Sequence, residues 1–382
     1  MDTRLRRARP AGGAGAAPPR PSGCAAAGSG RAGIPHRGGA VNLILASTGS
    51  YPRIGDSAEL QVLRRTIAAA DRGECTPAEL AEAEQEMTRR AIAEQLEAGL
   101  ELLTDGQIRW YDPISHLAGK LAGVKIDGLL RFFDTNFYFR QPVLTARPQR
   151  TRPLLTLEYR FASDALAALV AARPTDGTPA MKAVLTGPYT LAKFSLVETD
   201  AMGALETRAL AYAEALAAEI AALVEAGAEF IQVDEPAIVK YPHDWEVFAR
   251  ALQVLTAVRR QASGKPWTLA LHVYFHDPTP LYEKLIALPV DVVGLDFTYN
   301  PRLVEVVASV GSPVPLALGL VDARNTKLEN PEELARQIER MLPRIRGGPC
   351  YLCPSAGLEY LPRDRAFAKL ALLKRVRQAI RH

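Results

Sequence analysis

The chain has 382 residues, 48% hydrophobic and 23% charged, with a formal net charge of +4, a composition that excludes a disordered, collagen-like or coiled-coil protein. Seven of the 46 basic and one of the 42 acidic side chains fall in residues 1–40, which leaves the remainder at −2. The basic character therefore belongs to the leader, and the body offers no electrostatic case for nucleic acid.

Ala, Gly and Pro make up 24 of the first 40 residues. Such a segment has no means of burying a core and is expected to be a disordered leader, with the folded part, residues 41–382, beginning near Val41. It also lacks the continuous apolar stretch of a secretory signal. No apolar run reaches the roughly 18–20 residues of a membrane span, and the most apolar stretch, 209–227, is broken by Glu214, Glu219 and Glu225. Cys24, Cys75, Cys350 and Cys353 do not form a disulfide framework, which points to a reducing, cytoplasmic compartment. Cys350 and Cys353 have redox spacing, but Pro349-Cys-Tyr-Leu-Cys-Pro354 reads as a strand that turns them to opposite faces, two separate thiols.

From Val41 short β-branched runs ending in polar residues alternate with helix-period segments. The predicted strands are Asn42–Thr48, Leu100–Thr104, Lys182–Thr186, Phe230–Asp234, Leu269–Tyr274, Val292–Asp296, Leu316–Val321 and Cys350–Cys353. Alternation implies parallel pairing, and eight units over this length predict an α/β fold, a (β/α)8 TIM barrel. Thr76-Pro77-Ala78-Glu79 is a capping box opening a long helix that Gly99 ends. Asn330-Pro331-Glu332-Glu333 repeats the device before a helix ending near Arg344. The connection after the second strand, 107–181, is too long for one helix. Within it, Arg131 to Arg140 alternates aromatic and polar residues like an antiparallel hairpin, so an insertion after strand 2 is expected to wall the site, its aromatics serving as packing. His116 reads as a helix-start side chain.

In a barrel of this kind chemistry sits at the carboxyl ends of the strands. Those ends carry Thr48-Gly49-Ser50, Asp105-Gly106-Gln107, Thr186-Gly187-Pro188, Asp234-Glu235-Pro236, His272-Val273-Tyr274, Asp296, Asp322-Ala323-Arg324-Asn325 and Cys353-Pro354-Ser355-Ala356-Gly357. Several acids, an Arg and a His thus converge on one rim.

These residues carry a resemblance. Ser47-Thr48-Gly49-Ser50-Tyr51-Pro52, Thr186-Gly187-Pro188-Tyr189-Thr190, Ile231-Gln232-Val233-Asp234-Glu235-Pro236-Ala237, His272-x-Tyr274 and Pro354-x-x-Gly357-Leu358 follow the order found in the catalytic barrel of cobalamin-independent methionine synthase, over about residues 42–380. The chain resembles a short, single-barrel form. The resemblance implies methyl transfer to the thiol of homocysteine, forming methionine, as in a 5-methyltetrahydropteroyltriglutamate–homocysteine S-methyltransferase. It implies that Thr48, Gly49 and Ser50 hold the amino-acid substrate and that Asp234 takes its ammonium group. A carboxylate at one end and amide N–H groups at the other suit a zwitterion. Gln107 stands where the family has a Glu.

The implied zinc ligands are a His, a Cys, an acid and a second Cys, and here those positions read His272, Tyr274, Asp296 and Ala356. Both thiolates are missing, so the candidate metal set is His272 and Asp296 with Cys353 as a third donor, and His276 and Asp277 further off. Zinc well below one per chain is expected. Arg324 occupies the place of the family's proton-donating His, and its pKa makes it a poor acid. Phe194 replaces a Trp that packs on the folate pterin. The donor end is therefore rebuilt, and a methyl-corrinoid, carried by a corrinoid protein, competes with a folate as methyl donor. Two other readings remain: a metal-independent enzyme of the uroporphyrinogen decarboxylase-like group, with Asp234, Asp322 and Arg324 as the catalytic charges, and a non-catalytic binder of a methionine-like ligand.

Overall fold

Twelve strands alternate with helices in the computed structural model, which describes residues 43–381 apart from 174–176 and 262–265. The expected leader lies outside the described residues. In chain order the strands are β1 (Leu43–Leu45), β2 (Leu102–Leu103), β3 (Ala122–Arg131), β4 (Tyr138–Gln149), β5 (Ala180–Met181), β6 (Ala183–Thr186), β7 (Leu196–Val197), β8 (Phe230–Asp234), β9 (Thr268–Val273), β10 (Val292–Asp296), β11 (Leu316–Val321) and β12 (Cys350–Pro354).

Seven of these form one parallel sheet in the order β1-β12-β11-β10-β9-β8-β6. The remaining arc joins its two edges. Ala46 bridges Leu102, Leu102 and Leu103 of β2 pair with Ala180 and Met181 of β5, and the chain runs through Lys182, whose amide bonds Leu103 O at 2.9 Å, into β6. The ring therefore has the eight predicted positions, with the third split into β5 and β6 around Lys182. The first two strands are shorter than their apolar runs suggest, because residues 46–48 and 104 already turn into the loops of the barrel mouth.

Helices cover the outside, and the core lies between them and the barrel wall. A small inner cluster, including Ile44, Phe230, Val292 and Tyr351, plugs the barrel's axis, as expected where inward side chains fill a closed barrel. Cys350 belongs to the outer layer and Cys353 to the inner one, and both are free thiols, as the strand reading requires. Thr76 and Glu79 form the predicted capping box on the helix Pro77–Glu97, and Asn330 caps the helix Pro331–Met341 through Glu333 N. The predicted extension toward Arg344 is a separate 3-10 turn.

The insertion after β2 contains an antiparallel hairpin, β3 against β4, with β7 added along β4. Its aromatic stretch, 131–140, is the turn of that hairpin with the strand residues beside it, Arg131 of β3 and Tyr138 to Arg140 of β4, as the alternation predicts. Phe132 and Phe139 are buried, and Phe133 meets Phe275 of the barrel mouth at 5.5 Å between ring centroids. The helix Thr156–Ala172 then starts without a cap of its own. Buried Glu219 caps it across space, its carboxylate accepting from the amides of Leu154, Leu155 and Thr156 at 2.7–3.0 Å. His116 sits in a short helix, stacked on Trp110 and bonded to Glu158 at 3.0 Å, a structural arrangement.

Candidate active site

Lys182 between β5 and β6, Gln232 and Asp234 of β8, and Tyr274 just past β9 build a buried polar chain inside the barrel. Lys182 Nζ donates to Gln232 Oε1 at 2.6 Å. Gln232 Nε2 donates in turn to Asp234 Oδ1 at 2.7 Å and to Thr48 O at 2.8 Å. Tyr274 OH donates to the other Asp234 oxygen at 3.2 Å. All four side chains are buried. Burial pushes Asp234 up from the ordinary carboxylate range, and the Gln232 amide and Lys182 ammonium pull it back. Lys182 is lowered by burial against the pull of its acidic neighbours. The structure thus brings Asp234 to Thr48 of the first strand end. Lys182 and Gln232 were not singled out from the sequence, although a lysine at an inward position of an apolar strand is a signal of an internal polar chain.

Beside this chain a cavity of about 610 Å³ opens between the loops after β1, β2 and β12, lined among others by Ser50, Gln107, Arg53, Tyr111 and Glu359. Gln107 takes a left-handed φ of 50°, held by its amide to Asp105 Oδ1 at 2.9 Å and by the turn that Thr104 ties to Gly49 O at 2.6 Å. The side chain lies over Gly49. Phe133 and Phe275 also have positive φ, so all three such non-glycine residues among those described stand on loops around the barrel mouth, where strain concentrates at working sites. Phe137, Tyr111 and Pro113 of the insertion line the cavity, as expected of a wall.

On the side of β10 and β11, Asp296 accepts Thr298 N and Oγ1 at one oxygen and Phe275 N at the other. Arg324 lies over the Tyr299 ring at 4.0 Å and donates to Thr298 Oγ1 at 2.8 Å. Asp322 directly follows β11, as the strand reading places it, with Arg324 Nε 3.4 Å from its carboxylate. Its carboxylate is spent on the Arg324 amide, at 2.8 Å, and on Asn325, so it shapes its own turn. Phe194 packs on Phe133 and Phe139 at 5.4 and 5.3 Å, part of the hairpin's aromatic roof.

The residues at the implied zinc positions do not fit a tetrahedral zinc ion. Among the described residues no three His, Cys, Asp or Glu side chains are grouped so as to hold a metal. His272 is buried with neither ring nitrogen hydrogen-bonded, and its ring lies flat on Gly294, where a Cβ would come within 2.6 Å of it. Burial and the charge of Lys182 lower it to about 3; a cation that repels imidazolium repels a metal dication as well. Both Asp296 oxygens are already engaged, Tyr274 is committed to Asp234, and Ala356 has no donor. Cys353 lines the same small void as His272, but burial pushes its thiol up to about 11, away from the thiolate that binds metal. His276 is packed edge-on between Phe133 and Tyr299, and Asp277 is held by Thr279 and Asn300. The set His272, Asp296 and Cys353 is therefore not assembled as a ligand set.

Comparison with known proteins agrees with this architecture. Residues 43–379 match the family described as cobalamin-independent synthase, catalytic domain. The methionine synthase of Sulfurisphaera tokodaii is 30% identical over 323 residues, 84% of this chain and 88% of that protein. That of Saccharolobus solfataricus is 29% identical over 327 residues, 84% of this chain and 90% of its own. Among solved structures, the B12-independent methionine synthase from Shewanella sp. W3-18-1, in complex with selenomethionine, superposes with a TM-score of 0.67 at 19% identity, over 88% of this chain and 97% of that one. A methyltransferase from Methanosarcina mazei gives a TM-score of 0.52 at 16% identity, over 86% and 94%. No helix among the described residues is long and apolar enough to cross a membrane. With a matching profile over nearly the whole described chain and a barrel of the same architecture, this chain is a methionine synthase-like enzyme and belongs to the cobalamin-independent methionine synthase family.

Proposed function

We propose that the enzyme transfers a methyl group to the thiol sulfur of homocysteine and releases methionine. The observation that carries this reading is a cavity lined by Ser50 and Gln107, next to a strand end where Gln232 links Asp234 to Thr48, in a chain whose residues 43–379 match the family. The selenomethionine bound by the Shewanella protein supports a methionine-shaped ligand for the same architecture. In this reading the Thr48-Gly49-Ser50 turn receives the substrate carboxylate through backbone amides and the Ser50 hydroxyl. Asp234, steadied by Gln232 and Tyr274, receives the ammonium group.

The sulfur lone pair forms the new S–C bond as the bond from methyl to donor breaks, its electron pair staying on the donor; the thiol proton passes to solvent, and a folate donor's nitrogen takes up one proton from solvent, whereas a corrinoid leaves carrying the electron pair. No step is routed through zinc, because the donor set does not fit it. A thiol near pKa 8.5 is only a few per cent thiolate at neutral pH, so the rate is expected to climb with pH toward that value. Arg324, fixed on Tyr299, contributes a positive charge at the donor side, where it stabilises charge developing on the leaving group. The donor is methyltetrahydrofolate or a methyl-corrinoid, the latter delivered by a corrinoid protein. The phenyl group of Phe194 is a smaller seat than an indole for a pterin.

The test incubates purified enzyme and homocysteine with methyltetrahydrofolate in one arm and methylcobalamin in the other, and measures methionine by chromatography. Methionine from at least one donor, lost in Asp234→Asn, is the expected result. No methionine from either overturns the reading.

A further inference from the structure

We propose that Glu359 is a second carboxylate of the amino-acid site, closing on the ligand's ammonium group beside Ser50, where Gln107 offers only a neutral amide. The inference rests on the amino-acid reading above and adds a specificity residue to it.

The loop after β12 is stitched to the loop after β1, since Leu358 N donates to Ser50 O at 2.8 Å. Gly357 stands at the seam. A Cβ there would overlap both Ser50 Oγ and Glu359 Oε2, so the two oxygens close on one point that only glycine leaves open. Glu359 Oε2 is buried and has no hydrogen-bond partner. A buried acceptor of this kind is costly unless a donor arrives. Other buried acids of this chain are treated differently. Glu235 is spent on the amides of Tyr189 and Thr190 and the Thr190 hydroxyl, and Glu219 bonds three amides and Arg150. Glu329 also has an idle oxygen, but its other oxygen pairs with Lys369 at 2.8 Å. Glu359 forms no ion pair with a described residue.

The idle oxygen faces chemistry suited to an α-amino acid. Glu359 lines the 610 Å³ cavity together with Ser50, Gln107 and Arg53. The Arg53 guanidinium lies 5.6 Å from the Tyr111 ring centroid and pairs with no carboxylate among the described residues. The idle Glu359 oxygen leaves a place for an ammonium group on this cavity, and Arg53 adds positive potential for the carboxylate that the Thr48-Gly49-Ser50 turn receives. Burial raises Glu359 to about 7, against its own backbone amide, the Tyr360 hydroxyl and the charge of Arg53, so the carboxylate is held from one side while Oε2 stays idle.

The test is calorimetric binding of methionine and of 4-(methylthio)butanoate, which lacks only the ammonium group, to wild type, Glu359→Gln and Gln107→Glu/Glu359→Gln. Glu359→Gln should weaken methionine at least tenfold and leave the des-amino analogue within twofold, and the added Gln107→Glu should restore much of the loss. The analogue and the melting temperature report whether the variant is folded. If wild type binds methionine and Glu359→Gln binds it equally well, Glu359 has no such role. Equal weakening of both ligands makes it structural and overturns the proposal too. A wild type that binds no methionine overturns the proposed function and this inference together, and is recognised before any variant is made.

Discussion

Asp234→Asn separates the fold from the amino-acid site, because the amide keeps the shape and loses the charge. In the unliganded protein Asn can still accept from Gln232, which donates to Oδ1 at 2.7 Å, while its own amide faces the Tyr274 hydroxyl, 3.2 Å from Oδ2. Burial raises the Asp234 carboxyl. A carboxyl whose pKa is raised by folding contributes stability below its unfolded pKa and loses that contribution as pH rises through the folded value. At pH 8 the neutral amide is thus relieved of a desolvation cost, while Lys182 loses a counter-charge and sheds its proton more readily. The unliganded variant should melt close to wild type. The ligand is affected differently. A charge-assisted hydrogen bond contributes about 1.5–3 kcal/mol, equivalent to a loss of roughly 10- to 150-fold in affinity. At a methionine concentration of about 100 times the wild-type Kd, ligand stabilisation is about 2.7 kcal/mol, or about 5 °C at about 2 °C per kcal/mol for a domain of this size. With the affinity loss above, the same relation leaves the variant about 0.3–1.4 kcal/mol, at most about 3 °C. The assay is differential scanning calorimetry with and without methionine at one fixed concentration. A variant that retains the full shift, or one that melts many degrees lower without ligand, would refute this account of Asp234.

Elemental analysis of purified enzyme should find well below one zinc per chain, because Tyr274 and Ala356 offer no thiolate and Asp296 is already hydrogen-bonded; stoichiometric zinc lost in both His272→Ala and Cys353→Ser would establish a rearranged site instead. Glu219→Gln should destabilise the protein by about 2–4 kcal/mol in urea unfolding, since an amide cannot accept both the Leu154 amide and Arg150 at Oε2 and each buried group left unpaired costs about 1–3 kcal/mol. Folding lowers the Glu219 pKa, so this contribution is present above the unfolded carboxylate range and fades as pH falls through the folded value. A loss below about 1 kcal/mol would show that the helix Thr156–Ala172 does not depend on the distant cap.

The barrel was legible because its signals are local and repeated. Apolar runs such as Phe230–Asp234 and Val292–Asp296, buried along their whole length, announce strands covered on both faces, and Thr76 with Glu79 announces a helix start within four residues. What could not be read depends on neighbours distant in the chain. β1 has only three ladder residues, although its apolar run looks longer, because residues 46–48 are drawn into the mouth by partners such as Pro354 and Gln232. The Phe132–Phe139 stretch reads as part of a hairpin and forms its turn and the start of β4, but its packing partners are not local. The barrel-mouth rings it must meet, Phe275 and Tyr360, lie more than a hundred residues downstream.

The site was legible where a strand end fixes a side chain, and illegible where the chemistry depends on what a side chain lacks. That Thr48, Gln107 and Asp234 stand at strand ends follows from position, since the carboxyl ends of barrel strands point at one rim, while the roles proposed for them come from the resemblance. Asp322 shows the limit of that logic: it occupies a strand end, yet its oxygens are consumed by Arg324 and Asn325, and nothing in Asp-Ala-Arg-Asn says which partner wins. Glu359 is the converse. It sits five residues past β12, in a loop where an acid is unremarkable, and only the three-dimensional arrangement shows that its outer oxygen is buried, unpaired and beside Ser50. His272 and Glu359 both carry idle polar atoms, and the difference between them decides how each is read. His272 lines a small void inside the barrel that Lys182 also lines, with too little room for a ligand. Glu359 faces a cavity of about 610 Å³ that a zwitterion can enter. The same deficit, an unsatisfied buried atom, is thus a closed remnant in the barrel axis and an open binding element at its mouth.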